Sequence, residues 1–210
     1  MSLPFRFLLT IFIPSLFIVS VSATLLGCDD FKNLVTAEIH PVAQVFARAM
    51  LVKEYTIAHN KVRLILGMKP LTWNKTLEDY ARRWAEQRIE DCELIHSPHS
   101  PYGENIFWSL KQWTPAEIVK VWADEYVYYD EKTNECINGQ ICGHYTQLIW
   151  KSTQQFGCAH VECKNNKGYF DICSYDPPGN YYYEGPFGGK FAKSIVYPKC
   201  DSTPYDRLLI

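Results

Sequence analysis

The sequence predicts an α+β fold: three long helices, a short one and then a β-hairpin, in one disulfide-stapled domain. Three observations predict it. Apolar residues recur at spacings of three and four through the first two thirds of the chain. From Phe156 the period changes to two. Eight cysteines, an even number, all follow an apolar leader. At 210 residues and 47% hydrophobic, the chain can fill one core, and one domain is the expectation.

Residues 1–22 carry a single charge, Arg6, ahead of an apolar run over residues 8–21, and the small residues Ser22 and Ala23 close the segment. This reads as a secretory signal peptide over residues 1–23. Pro14 interrupts the run, whose apolar part is shorter than the ~20 residues a spanning helix needs. Residues 1–23 hold Arg6 and no acid, so of 21 basic and 23 acidic residues 20 and 23 remain, a net charge of −3 over 187 residues. That balance excludes the electrostatic signature of a nucleic-acid binder, and no polybasic run suits an anionic membrane. Cys28, Cys92, Cys136, Cys142, Cys158, Cys163, Cys173 and Cys200 read as half-cystines, since no Cys-x-x-Cys pair suggests metal. Asn74-Lys75-Thr76 is an N-glycosylation sequon, a surface position if used.

Residues 42–66 form a long first helix or two abutting ones. Val45, Ala49, Val52, Ile57, Val62 and Leu66 make its apolar stripe, and Gly67 and Pro70 stop it. His59 and Asn60 read as a polar pair that pins the helix by hydrogen bonds. Residues 74–94 form the second, with Leu77, Tyr80, Ala81, Trp84, Ala85, Arg88 and Ile89 on one face. Asn74 sits at the N-cap position, and Glu78 and Asp79 suit the positive end of the helix dipole. Cys92, near its end, would tie it to the sheet.

Residues 96–105 read as loop, because Ser97, Pro98, Ser100, Pro101 and Gly103 are turn formers. Ile106, Phe107, Trp108, Leu110 and Trp113 follow as an apolar cluster. Thr114-Pro115-Ala116-Glu117 is a helix start: Thr114 caps, Pro115 takes the first position and Glu117 completes a capping box. The third helix runs to about residue 130 with Ile118, Val121, Trp122, Glu125 and Tyr129 on one stripe, so Glu125 needs a partner. Residues 133–142 form a polar loop that Cys136 and Cys142 could close, and residues 143–150 a short helix. Strands over 157–163 and 169–175 flank a turn at Asn165-Asn166-Lys167-Gly168, with Cys158 and Cys173 on facing strands. His144, in the stretch Ile141 to Trp150, is a point on which His96, Glu104 and Glu125 could converge.

Four motifs in order carry a resemblance. Gly143-His144-Tyr145-Thr146-Gln147-Leu148-Ile149-Trp150, Tyr175-Asp176-Pro177-Pro178-Gly179-Asn180, Tyr102-Gly103-Glu104-Asn105 and His59-Asn60-x-x-Arg63 resemble signature positions of the CAP superfamily. That superfamily comprises cysteine-rich secretory proteins, antigen five of insect venom and plant pathogenesis-related proteins of class one, the last branch being the most similar. The resemblance covers residues 42–187 as a CAP/SCP domain. It leaves residues 24–41 as an N-terminal extension and 188–210 as a C-terminal tail.

The resemblance implies a three-layer α-β-α sandwich around a small antiparallel sheet. It implies disulfides Cys92–Cys163, Cys136–Cys142 and Cys158–Cys173, after which Cys28 and Cys200 could form a fourth. Sequence alone fixes none of these pairings. It also places His96, Glu104, Glu125 and His144 in a central cleft. Two imidazoles and two carboxylates can hold Zn²⁺ at about 2.0–2.2 Å, share protons, or form a satisfied polar cluster that orients loops; the residues leave all three open, and no cofactor is required.

An enzyme needs a nucleophile or an activated water. The chain has no His-Glu-x-x-His and no Gly-x-Ser-x-Gly, and Ser97 beside His96 is not aimed at it by adjacency. The resemblance implies sterol or fatty-acid binding in an apolar groove, for which Phe107, Trp108, Trp113 and Trp122 supply aromatic surface near the four polar residues. The expectation is an extracellular, monomeric plant-type defence protein that binds lipid without catalysis. The alternatives are a metal-dependent hydrolase at the same four residues, or a precursor of a defence peptide beginning at Pro177. Ser174, where the family usually has asparagine, and the chain beyond Phe187 both weigh against the precursor.

Overall fold

The computed structural model describes residues 28–181 and 185–187, with side chains from residue 42 onward except that of Asn138. The expected signal peptide, most of the tail and any Cys28–Cys200 bond fall outside the described residues or side chains. The helices are α1 (Cys28–Ile65), α2 (Lys75–Arg88), α3 (Pro115–Asp124) and α4 (Gly143–Leu148). The strands are β1 (Thr72–Trp73), β2 (Gly103–Ser109), β3 (Tyr129–Asp130), β4 (Glu135–Cys136), β5 (Gln155–Glu162) and β6 (Tyr169–Asp176). Among the described residues no helix is long and apolar enough to cross a membrane. The chain divides into two units between Arg48 and Ala49, and the sheet, the core and the candidate site all belong to the second.

The first helix differs from its sequence reading in extent and in phase. It runs through residue 42 without a break. Its buried side is Tyr55, Ala58, His59, Val62, Arg63 and Leu66, whereas Val45, Ala49 and Ile57 of the expected stripe are exposed. Hydrophobicity alone sets the wrong phase because two of the buried residues are polar. His59 Nδ1 bonds the Tyr55 carbonyl at 2.8 Å and its Nε2 meets the Tyr175 hydroxyl at 2.9 Å. Asn60 brackets Leu71, donating to its carbonyl at 3.0 Å and accepting from its N–H at 2.7 Å. The polar pair therefore pins the helix as expected.

The main sheet has the order β1-β5-β6-β2. The β5–β6 hairpin is antiparallel, with Cys158 opposite Cys173, and β2 runs antiparallel on the far side of β6. The short β1 is parallel to β5. Strand β2 overturns the loop reading of residues 103–105: Gly103, Glu104 and Asn105 pair with Tyr175, Ser174 and Cys173. The turn chemistry of residues 96–102 hid the strand, because its pairing partner lies some seventy residues away in sequence. At the hairpin turn Asn165 and Asn166 adopt φ of 58° and 57°, and Gly168 adopts 99° with room for no side chain, since a Cβ there would lie 2.2 Å from the Ser109 carbonyl oxygen.

Alternation along β5 and β6 sorts the core into two layers. On one face Phe156, Cys158, Cys173 and Tyr175 pack against Tyr55, Ala58 and Val62 of α1, Ile118 and Trp122 of α3, and Tyr145 and Leu148 of α4. On the other, Ala159, Phe170, Ile172 and Ile106 pack against Ala81 and Ala85 of α2. Helices thus cover both faces of the sheet, and the fold is α+β. The first turn of α2 presses directly on the sheet at Gly157, where a Cβ would fall 2.2 Å from the Glu78 amide nitrogen. Helix α2 ends at Arg88, short of the expected residue 94. The disulfides among the described side chains are Cys92–Cys163, Cys136–Cys142 and Cys158–Cys173.

Arg63 closes the architecture. Its buried guanidinium donates to the carbonyls of Lys69 (2.7 Å), Leu148 (3.0 Å), Trp150 (3.0 Å) and Thr153 (3.4 Å). Burial lowers its pKa to about 10, which still leaves it cationic at neutral pH. Replacing Arg63 by Met strips these carbonyls of their side-chain donor. The expected loss is about 3 kcal/mol or more, read as a lower urea midpoint at unchanged slope. A loss below about 1 kcal/mol would show that water substitutes for the guanidinium.

Candidate functional site

Helix α3 begins as its sequence demands: Thr114 Oγ1 accepts from the Glu117 N–H at 3.3 Å, and Glu117 reaches back to the Thr114 N–H at 2.8 Å. It ends at Asp124, earlier than expected, and tightens into a 3-10 turn over Glu125–Tyr128. That turn aims Glu125 at the start of α4. One carboxylate oxygen accepts from the backbone N–H groups of His144 (2.9 Å) and Tyr145 (3.2 Å), and the other meets His144 Nδ1 at 2.6 Å. The first N–H groups of any helix lack intrahelical partners. Here a carboxylate from another element satisfies two of them and places negative charge at the positive end of the helix dipole. The Trp122 ring stacks on the His144 ring, with centroids 6.1 Å apart and planes 17° apart.

His96 and Glu104 form a second pair. Glu104 is buried while His96 is largely exposed, and Nδ1 of the imidazole lies 3.3 Å from the carboxylate. Ser97 saturates Glu104, giving its N–H at 3.0 Å and its hydroxyl at 2.7 Å, and the Tyr80 hydroxyl of α2 lies 3.0 Å from Ser97 Oγ. The Ser97 hydroxyl is therefore engaged by a carboxylate rather than by an imidazole.

The four residues thus stand as two His–carboxylate pairs. Glu104 and Asn105 are neighbours in β2, so their side chains leave opposite faces of the strand. Glu104 serves the loop on the α2 side, and Asn105 donates to the His144 carbonyl at 3.1 Å on the other. Among the described residues, no three donor atoms drawn from His96, Glu104, Glu125 and His144 lie within 4.8 Å of one another. The one trio that does, His59 with Cys158 and Cys173, is not a metal site. Its cysteines are bonded to each other, and its buried histidine, lowered to about pKa 3 mainly by burial, has both ring nitrogens engaged.

Sequence reasoning missed the support behind His144. Asn105 bonds the Tyr175 hydroxyl as well, and Tyr175 meets His59, so a buried polar chain joins α1, β6 and β2 to α4. Burial raises the Tyr175 pKa well above its ordinary value and keeps the phenol neutral. Asn105 stands inside one of the four motifs, but its orientation required knowing that the motif is a strand.

The four aromatic candidates do not share one surface. Phe107 and Trp108 alternate across β2. Phe107 packs against Trp113 with centroids 5.4 Å apart, on the α1 side of the sheet. Trp108 is exposed on the other side, its indole N–H bonded to the Lys167 carbonyl at 2.8 Å. Trp122 is core, 1% exposed, with its N–H on the Ile106 carbonyl. Beyond β6, the Thr153 hydroxyl donates to the Pro177 carbonyl, Gln147 accepts from the Gly179 N–H, and Asn180 donates to the Gly143 carbonyl. Asn74, the sequon residue, caps α2 by accepting from the Thr76 N–H and donates its amide to Gln155.

Comparisons with known proteins place the chain in a family and a fold. The model of the cysteine-rich secretory protein family (CAP) matches residues 56–175. "Pathogenesis-related protein PR-1" of Medicago truncatula is 45% identical over 158 residues, 75% of this chain and 91% of that one. "Pathogenesis-related protein 1A" of Nicotiana tabacum is 46% identical over 136 residues, 64% of this chain and 80% of that one. Two solved structures share the fold. Na-ASP-1 has a TM-score of 0.57 at 20% identity and covers 71% of this chain and 44% of its own. BmVAL-1 has 0.56 at 26% identity and covers 66% and 82%.

Glu125 is expected to matter through α4. Glu125→Ala should cost about 2–3 kcal/mol, because two partly buried N–H groups and an imidazole lose their acceptor, and Glu125→Gln should recover part of it. Urea unfolding of both variants checks this; equal losses would mean that the negative charge, not packing or a neutral acceptor, is what the carboxylate contributes.

Proposed function

The chain belongs to the CAP, or cysteine-rich secretory protein, family, and from that membership we propose an exported, non-catalytic defence protein of the plant pathogenesis-related class one type. The observation that supports the non-catalytic part is the engagement of the Ser97 hydroxyl and of the described cysteines. Nδ1 of His96 and of His144 faces a carboxylate, and the hydroxyl nearest in sequence, on Ser97, is bound to Glu104. The six cysteines with described side chains are all in disulfides. Among the described residues these groups form no nucleophile–base pair, which acyl-transfer chemistry needs.

A carboxylate on Nδ1 is also how proteins orient an imidazole whose Nε2 binds metal. We propose that a zinc ion would be held by His96 and His144, with Glu104 and Glu125 as orienting partners. Zinc in such a site would supply a bridge between the loop before β2 and helix α4. Lipid binding we place at the half-buried Phe107 and Trp113, leaving out Trp122, whose truncation would cost the core about 3–5 kcal/mol. The turn at Pro177 to Asn180 is tied down by Thr153, Gln147 and Gly143, which favours a structural role for it over release as a peptide.

Two titrations on the oxidised chain from Thr24 test this. A fluorescent sterol should bind saturably, and Phe107→Ala with Trp113→Ala should weaken it about tenfold or more, worth about 1.4 kcal/mol; absence of saturable binding removes the lipid assignment. Zinc should shift the ring resonances of both His96 and His144, and His144→Ala should abolish the shift at His96. Independent responses of the two rings would show that no ion bridges them.

A further inference from the structure

A second polar centre lies away from the His–Glu pairs, on the α1 side of the sheet. His160 of β5 and Asp171 of β6 are direct cross-strand partners. His160 Nδ1 lies 3.0 Å from both carboxylate oxygens of Asp171. Tyr55 of α1 donates its hydroxyl to Asp171 Oδ1 at 2.7 Å, across 116 residues of sequence. Asp171 and Tyr55 are buried, while His160 keeps a 19% exposed side chain with the Tyr169 ring stacked on it at 5.5 Å. A buried carboxylate held by one phenol and one imidazole carries an uncompensated charge whenever the imidazole is neutral.

We propose that Tyr55, Asp171 and His160 form a proton-sensitive clamp, which fastens α1 to the sheet more tightly when His160 takes up a proton through its solvent-facing edge. Protonation turns a lone buried carboxylate into an ion pair, and the Tyr55 hydroxyl shares the same oxygen, so the charge state of His160 reaches α1 through a single atom. The groups acting on this centre are Asp171, Tyr169 and Tyr175 of β6, Glu162 of β5, and Tyr55, Glu54 and His59 of α1. Phe107, opposite Asp171 on β2, is uncharged.

Burial by itself pushes the His160 pKa down, but the hydrogen bond and charge of Asp171, helped by Glu162, outweigh it and leave the value raised. Folding then favours the protonated form. The clamp's contribution is complete below the unfolded histidine value of about 6.5 and is lost as pH rises through the raised folded value. His59 acts in the opposite sense. Its folded pKa of about 3 means stability is lost as pH falls below about 6.5. The clamp is therefore read from the difference between wild type and His160→Gln, in which the His59 contribution cancels.

The experiment uses the oxidised chain from Thr24. The His160 ring is titrated by NMR in the wild type, with an expected midpoint above about 6.5. The Tm advantage of wild type over His160→Gln should shrink by about 2–4 °C between pH 6 and pH 8. Tyr55→Phe, which removes only the hydroxyl and leaves the His160–Asp171 pair in place, should lower Tm while keeping the pH dependence, and the double variant should lose less than the sum of the two single losses. A His160 midpoint at or below about 6.5, or a pH-independent advantage, overturns the clamp; additive losses overturn its reach to α1.

Discussion

The fold depends on a cation placed where water cannot reach it. Arg63 donates to carbonyls before β1 and on the segment from α4 to β5, so one side chain fixes two stretches of backbone. Three of those carbonyls lie at the end of a six-residue helix and in the turn after it, where Trp150 also accepts the Thr153 N–H, and the fourth, of Lys69, lies between α1 and β1. A guanidinium suits the task, since its fork of donors points several ways at once and stays charged after burial. The course of residues 148–153 is thereby set, and with it the register of β5.

Helix α1 acts as a polar spine as much as an apolar one. Tyr55, His59, Asn60 and Arg63 follow one another along its buried side, and their bonds reach Asp171 and Tyr175 of β6, Leu71 beside β1, and the α4 end. Apolar packing is non-directional and tolerates sliding. A row of hydrogen bonds does not, because each has a donor and an acceptor at fixed separation. The helix is therefore fixed in rotation and translation on the sheet, which lets His144 be positioned from behind through Tyr175 and Asn105.

The candidate site is split by the strand that builds it. Glu104 and Asn105 leave opposite faces of β2, so one supports the His96 loop and the other supports α4. Each histidine carries its own carboxylate and is held independently. This arrangement gives two oriented imidazoles without demanding a preformed chelate. Membership of the CAP family fixes the scaffold, while the chemistry rests on the particular groups set upon it.

Local chemistry was legible in the sequence. The capping box at Thr114 and Glu117, the Asn74 cap and the Asn-Asn-Lys-Gly turn rest on interactions spanning a few residues, the cross-strand cysteines on a hairpin 15 residues across, and all appear as expected. The need of Glu125 for a partner was legible too, though its partner was not. Tertiary structure alone decided the phase of α1, the existence of β2, the two-sided placement of Glu104 and Asn105, and the meeting of Tyr55, Asp171 and His160. The physical reason is common to all four. A buried polar residue looks like a surface residue until its partner is known, and an edge strand looks like a loop until its neighbour is known. In this chain those partners lie far away in sequence, brought close only by the folded sheet.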